Sequence, residues 1–320
     1  MGHVVVSRQI AGRTLTLETG KIAKLCNGAV MATYGGTTVL ATITRGKPRF
    51  ENPDFLGLTV DYREKLTAAG KFPGGFKKRE GPPSEKEILT MRMIDRPCRP
   101  LFPDGYYDEL NLQVFVMSHD GENDSDVLAG TAASAAMAIS DVPFEGPIAT
   151  VRVARVHTDS GPTYVCNPTN SQMEFSDLDL VLSGHKDGLN MIEVGAAELG
   201  EKVVLDAIAF GQDNINQTLE LINELVGKAG VPKVVGDLYL PPADITELVK
   251  NAAEAKMIEA RKIKGKQDRN AAVDKLRDEV MAAHFAVKTT GTYEDYAASA
   301  SASSSARTPS SVWKRRSRAA

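Results

Sequence analysis

Residues 72–105 read FPGGFKKREGPPSEKEILTMRMIDRPCRPLFPDG. Gly74 and Gly75 let the backbone bend where a side chain would obstruct it. Three consecutive cations, Lys77, Lys78 and Arg79, stand beside Phe76. Ser84 with Glu87 three residues later forms a capping box, which predicts that a helix starts there. Pro97 predicts its end near Asp95 or Arg96. Arg92 and Arg96 are four apart and share a face of that helix, with Arg99 following on an exit strand or loop. Cationic groups converging from a loop and a helix suit a phosphate chain. Phe72 and Phe76 offer rings on which bases can stack. Asp95, Glu80 and Glu87 are also at hand as ion-pair partners, which would make some of these arginines structural.

The whole chain gives no such signal. It has 320 residues, a net charge of −3 and a pI near 6.0, so any nucleic-acid binding must come from a local patch. Residues 63–99 supply one, with ten Lys or Arg against five Asp or Glu. Cys26, Cys98 and Cys166 are odd in number and far apart, which excludes a disulfide framework or a Cys-x-x-Cys metal pair. They point to a reducing, cytoplasmic setting. No apolar run approaches the length of a membrane span, and no signal-peptide core is present. No metal-ligand set is predicted.

Alternation predicts strands over residues 4–10 and 14–18, joined at Ala11-Gly12, and over 29–34 and 39–44, joined at Gly35-Gly36. Further strands are expected at 58–62, 110–118, 148–156, 164–167, 178–183 and 191–194. Residues 124–140 are nearly all small and read as a buried packing helix. Two helices are expected at 196–209 and 212–227. The order of strands, helix, strands and helices predicts an α+β fold. Residues 231–242 read as a connection, and 244–287 as two or three helices of a separate all-α element. After Thr292 an Ala/Ser tail ending in VWKRRSRAA lacks apolar periodicity, so disorder is expected. The divisions are 1–235, 236–290 and 291–320.

The FKKREG-x-PSE and MIDRP-x-RPLFP segments resemble the first core of the polyribonucleotide nucleotidyltransferase family. The resemblance covers about residues 4–288. It implies an RNase PH-like core of the ribosomal S5 domain 2-like type, followed by part of a helical domain. The implied reaction is phosphorolysis, in which inorganic phosphate attacks the 3′-terminal linkage of RNA, with Mg2+ assisting. The implied partners are single-stranded RNA, two further copies in a homotrimer, and degradosome-type proteins, with no membrane involved. The implied RNA contacts are Phe76, Lys77, Lys78, Arg79, Arg92, Arg96 and Arg99. Phe-Lys-Lys-Arg stands where the family often has Phe-Phe-Arg-Arg.

In the active cores of this family a serine-rich turn binds phosphate. Here that turn reads Asp124-Ser125-Asp126, leaving Ser125 as the one hydroxyl donor. Asp177 occupies the second metal-carboxylate position, but Ser171 stands at the first. Ser125 and Asp177 are therefore vestigial candidates, and the catalytic second core is expected to be missing from this chain. The rival readings are a non-catalytic RNA-binding subunit of an exosome-like ring and a self-sufficient RNase PH-type enzyme.

Overall fold

The computed structural model describes residues 2–48, 53, 55–159 and 161–284. The chain divides into two units, residues 1–49 with 56–237, and residues 50–55 with 238–320. The first unit begins as a meander of β1 (Val4–Ile10), β2 (Arg13–Thr19), β3 (Gly28–Tyr34) and β4 (Thr37–Gly46). Ala11 and Gly12 have φ of 48° and 80°, the paired left-handed residues that a tight hairpin turn demands. β5 (Gly57–Glu64) and β6 (Glu109–Ser118) complete a sheet ordered β1-β2-β3-β4-β6-β5. Among the described residues only β5 and β6 pair in parallel. Their crossover contains residues 72–105, including α1 (Glu85–Cys98).

A second, antiparallel sheet is ordered β10-β9-β7-β8. Its strands are β7 (Ala149–Thr158), β8 (Gly161–Cys166), β9 (Ser176–His185) and β10 (Gly188–Ala196). Between β8 and β9 lies a short turn of helix, α3 (Asn170–Met173). α2 (Ser125–Ile139) packs on β3, β4 and β7, so it touches both sheets. All of its residues are buried. Alanine, glycine and serine leave room for that double contact, and a Cβ on Gly130 would press on Thr150.

Two expectations need correction. α1 does not stop before Pro97 but runs through it to Cys98 and into a 3-10 turn over Arg99–Leu101, where an exit strand or loop was expected. Pro97 and Cys98 are buried, and the Arg99 N–H donates to Asp95 O. The Arg99 guanidinium then fastens the helix end through Leu56 O and Leu58 O, at 3.0 Å each. The two helices expected at 196–209 and 212–227 are one, α4 (Glu201–Ala229), and Ala196 still belongs to β10. The gap expected between those helices contains Gly211, which is a packing site. A Cβ there would collide with Leu182 Cδ1 and come within 3.1 Å of Val153 Cγ2. Close approach to the sheet outweighs a helix-propensity cost of about 1 kcal/mol.

The second unit holds α5 (Ala243–Arg261) and α6 (Lys266–His284), joined by a turn in which Gly265 has φ of 95°. Ala253, Met257, Leu276 and Val280 form a small core between them. The Ala/Ser tail expected to be disordered lies outside the described residues. No helix among the described residues is long and apolar enough to cross a membrane.

Candidate nucleic-acid interface

The loop carrying Phe76–Arg79 is held at both ends and unpartnered in the middle. At its start, residues 66–69 form a 3-10 turn closed by Gly70 in the left-handed region. The His119 N–H donates to Ala68 O at 3.0 Å, tying that turn to the end of β6. At its far end, Glu80 Oε1 accepts from the Leu66 N–H at 3.0 Å. The predicted capping box is present, with Glu87 N donating to Ser84 Oγ at 3.2 Å and Ser84 N to Glu87 Oε2 at 2.6 Å. Glu87 Oε1 also accepts from Glu64 N at 2.9 Å, fixing the helix start to β5. Burial alone would raise the Glu87 carboxyl, but the Ser84 and Glu64 N–H groups hold it below the usual range.

Between these anchors Phe76 is fully exposed, at 103%, and Phe72 is 88% exposed. Gly75 and Lys78 take left-handed φ of 75° and 45°, turning the backbone sharply around Phe76. Lys77, Lys78 and Arg79 are exposed and form no ion pair among the described residues. Arg92 is likewise exposed on α1. The other two arginines differ. Arg96 pairs with Glu193 at 2.8 Å. Arg99 is bound on both arms by Asp95 and by backbone carbonyls, and so serves the helix end.

At the start of α2, Asp124 is the N-cap and Asp126 lies in the first turn. Arg152 on β7 spans both, with Nη1 on Asp124 at 3.0 Å and Nη2 on Asp126 at 2.9 Å. Its Nε stands 3.0 Å from Asp179. Lys86 of α1 joins Asp124 at 3.0 Å and Glu64 at 3.1 Å. Ser125 is fully buried, its Oγ 2.8 Å from the Tyr62 hydroxyl. Burial opposes charge on Asp124, yet Lys86 and Arg152 hold its carboxyl below the ordinary range. Asp126 goes the other way, pushed up by burial against the pull of Arg152. Both cations here, Lys86 and Arg152, are thus already paired with carboxylates. The adjacent cavity is about 30 Å3 and is lined by Tyr34, Asn123, Thr131 and Arg152 among others.

One oxygen of Asp177 is occupied, while its Oδ1 is buried without a hydrogen-bond partner among the described residues. Its Oδ2 takes Arg155 Nη1 at 2.6 Å and His157 Nε2 at 2.8 Å. Ser171 Oγ donates to Glu122 Oε1 at 2.7 Å. The described residues contain no group of three His, Cys, Asp or Glu able to hold a metal ion. Ser125 and Asp177 form no hydrogen bond with one another, but Arg152 links the turn around Ser125 to Asp179, two residues from Asp177 on β9. Sequence reasoning missed Arg152, Arg155 and Lys86. A signal existed in residues 151–156, VRVARV, where two arginines interrupt an apolar strand. A register shift between Ala154 and Val156 re-aims the strand at Arg155.

Comparison with known proteins agrees with this architecture. Residues 11–143 match the 3′ exoribonuclease family, domain 1, and residues 146–214 match domain 2 of the same family. A polyribonucleotide nucleotidyltransferase of Bacillus licheniformis is 45% identical over 278 residues, covering 87% of this chain and 39% of its own. One from Bacillus cereus is 45% identical over 277 residues, covering 87% of this chain and 38% of its own. The chain thus spans about two-fifths of the length of these relatives.

Proposed function

The chain belongs to the 3′ exoribonuclease family that carries RNase PH domains, and from that premise we propose that it is the RNA-binding core of a phosphate-dependent 3′-to-5′ exoribonuclease of the polyribonucleotide nucleotidyltransferase type. Its process is mRNA degradation in the cytoplasm, in a homotrimeric ring with degradosome-type partners. The observation that carries the reading is the loop of residues 76–79. Three unpaired cations and a fully exposed ring project from a segment anchored at both ends. The cations meet phosphates, and the Phe76 ring stacks on a base. Arg92 extends the basic surface along α1.

The reaction needs inorganic phosphate as attacking group and Mg2+ as charge stabiliser. The carboxylates here do not fit a metal. Asp124, Asp126 and Asp179 share Arg152, and Asp177 is held by Arg155. No catalytic step is assigned to this chain, and both groups belong to a second core. The closed network equally favours a role as a non-catalytic RNA-binding ring subunit.

Two measurements test the reading. With poly(A), phosphate and Mg2+, the chain alone releases little or no nucleoside diphosphate. Replacing Lys77, Lys78 and Arg79 together with Ala weakens binding to all single-stranded RNAs alike and flattens the dependence on salt. Undiminished binding by the folded triple variant would defeat the assignment.

A further inference from the structure

β10 is a free edge of the second sheet, and its backbone parity can be read directly. Ala197 N donates to Asp177 O at 3.0 Å, one step beyond the register pair Ala196–Leu178. In an antiparallel ladder, bonded and non-bonded pairs alternate. Gly195 and Glu193 therefore bond to β9, while the N–H and C=O groups of Ile192, Val194 and Ala196 point away from the sheet.

The side chains beside this edge are apolar. Ile192 is 47% and Val194 48% exposed. They pair with Leu182 and Leu180, so they share the sheet face that packs under Gly211 of α4. Gln212 of α4 donates to His185 O, beside the β9–β10 turn. Leu205, seven residues earlier on the same helical stripe, is 63% exposed. Sheet edges are normally blunted by Lys, by Pro, by a bulge or by shortness. The other edge strand of this sheet, β8, has only six residues and contains Pro162. In β10 the one irregularity lies between Leu189 and Met191, and residues 191–196, MIEVGA, contain neither Lys nor Pro.

We propose that β10 pairs antiparallel with β10 of a second copy of this chain, about a two-fold axis through Val194. The sequence fits its own copy in this register. Ile192 lies beside the partner copy's Ala196, and the two Val194 residues adjoin. Glu193 faces the other copy's Gly195, so no carboxylate meets its own image. Moving the axis one residue, to Glu193, would oppose two carboxylates and turn inward-bonded groups toward the partner. The Leu205 side chains extend the apolar contact along the α4 face. The contact is independent of the RNA-binding reading and uses none of the residues of the loop.

The test begins with sedimentation equilibrium of the intact chain over a wide concentration range, without RNA. Self-association is expected, with the amides of Ile192, Val194 and Ala196 gaining protection from hydrogen exchange as concentration rises. Val194→Pro removes an outward N–H and spares the β9 ladder, so it should abolish that association while leaving the circular dichroism unchanged. Ile192→Lys should do the same by adding charge at the edge. For register, Glu193→Cys with Gly195→Cys, in a Cys26→Ser background, should form an intermolecular disulfide that neither single substitution forms. Facing residues of a non-bonded antiparallel pair lie about 4.5 Å apart at Cα, within disulfide reach. A chain that stays monomeric overturns the proposal. So does association that leaves these three amides freely exchanging, or association that both edge variants retain.

Discussion

Arg152→Met should be the most damaging single change near the start of α2. It removes one guanidinium that meets three carboxylates, those of Asp124, Asp126 and Asp179, at 2.9–3.0 Å. The arginine side chain is 16% exposed and that of Asp126 only 8%, so water cannot replace the lost partner. Breaking a buried pair by removing one member costs about 3–5 kcal/mol. At roughly 2–4 °C per kcal/mol for a unit of this size, the melting temperature should fall by about 6–20 °C. Urea unfolding at several pH values gives the sharper assay. Burial already raises the Asp126 carboxyl above its ordinary value, and the variant lacks the opposing charge. A carboxyl whose folded pKa is raised contributes stability below its unfolded pKa, near 3.9, and loses it as pH rises through the folded value. The deficit should therefore be larger at pH 7 than near pH 4. Adding Asp124→Asn and Asp126→Asn should recover part of it at pH 7, because the two more buried carboxylates are then neutral while Asp179, 47% exposed, keeps access to water. A loss below about 1 kcal/mol at pH 7, within the range of exposed ion pairs, would refute the reasoning. A deficit that does not shrink in acid would refute it equally.

Gly28→Ala should cost about 1–3 kcal/mol by overpacking, read from urea midpoints, because its Cβ would press into Ala136 O and lie 2.9 Å from Ser140 Cβ. Asp120→Asn should flatten the acid limb of stability: burial raises this carboxyl, but N–H groups of Asn123, Glu122 and Gly36 pull it well below the usual range. The stabilisation Asp120 supplies is present above the unfolded pKa and lost as pH falls through the folded value, so parent and variant should converge in strong acid. Phe76→Ala should weaken RNA binding by roughly 1–3 kcal/mol in titrations at fixed salt, with little change in salt slope, if the ring stacks.

The parts of the fold that could be read from sequence were those set by neighbours along the chain. The Ser84–Glu87 box, the Ala11-Gly12 turn and the alternation of residues 110–118 each carry their reason within a few residues. Gly211 and Pro97 misled because the forces deciding them lie elsewhere: Leu182 and Val153 across the sheet for one, Asp95 and the Arg99 anchor for the other. The exposed cations of residues 77–79 were legible because nothing in the fold competes for them. The partners of Asp124 were not, since Lys86 is 38 residues away in sequence and Arg152 is 28. An acidic turn looks repulsive until the strand that neutralises it is placed.

The buried helix α2 has one more consequence. The two family matches meet between residues 143 and 146, just beyond its C-terminus, as if the chain could be cut there. Physically that is a poor place to cut. α2 belongs to the first match by sequence but rests on β7 and α4 of the second, while its other side rests on β3 and β4. Severed at this seam, the first piece would bare a helix of alanines and the second the floor of a sheet, and neither has spare side chains to cover the wound. The boundary records where the two matches meet, whereas the compact unit is the whole of residues 1–49 with 56–237.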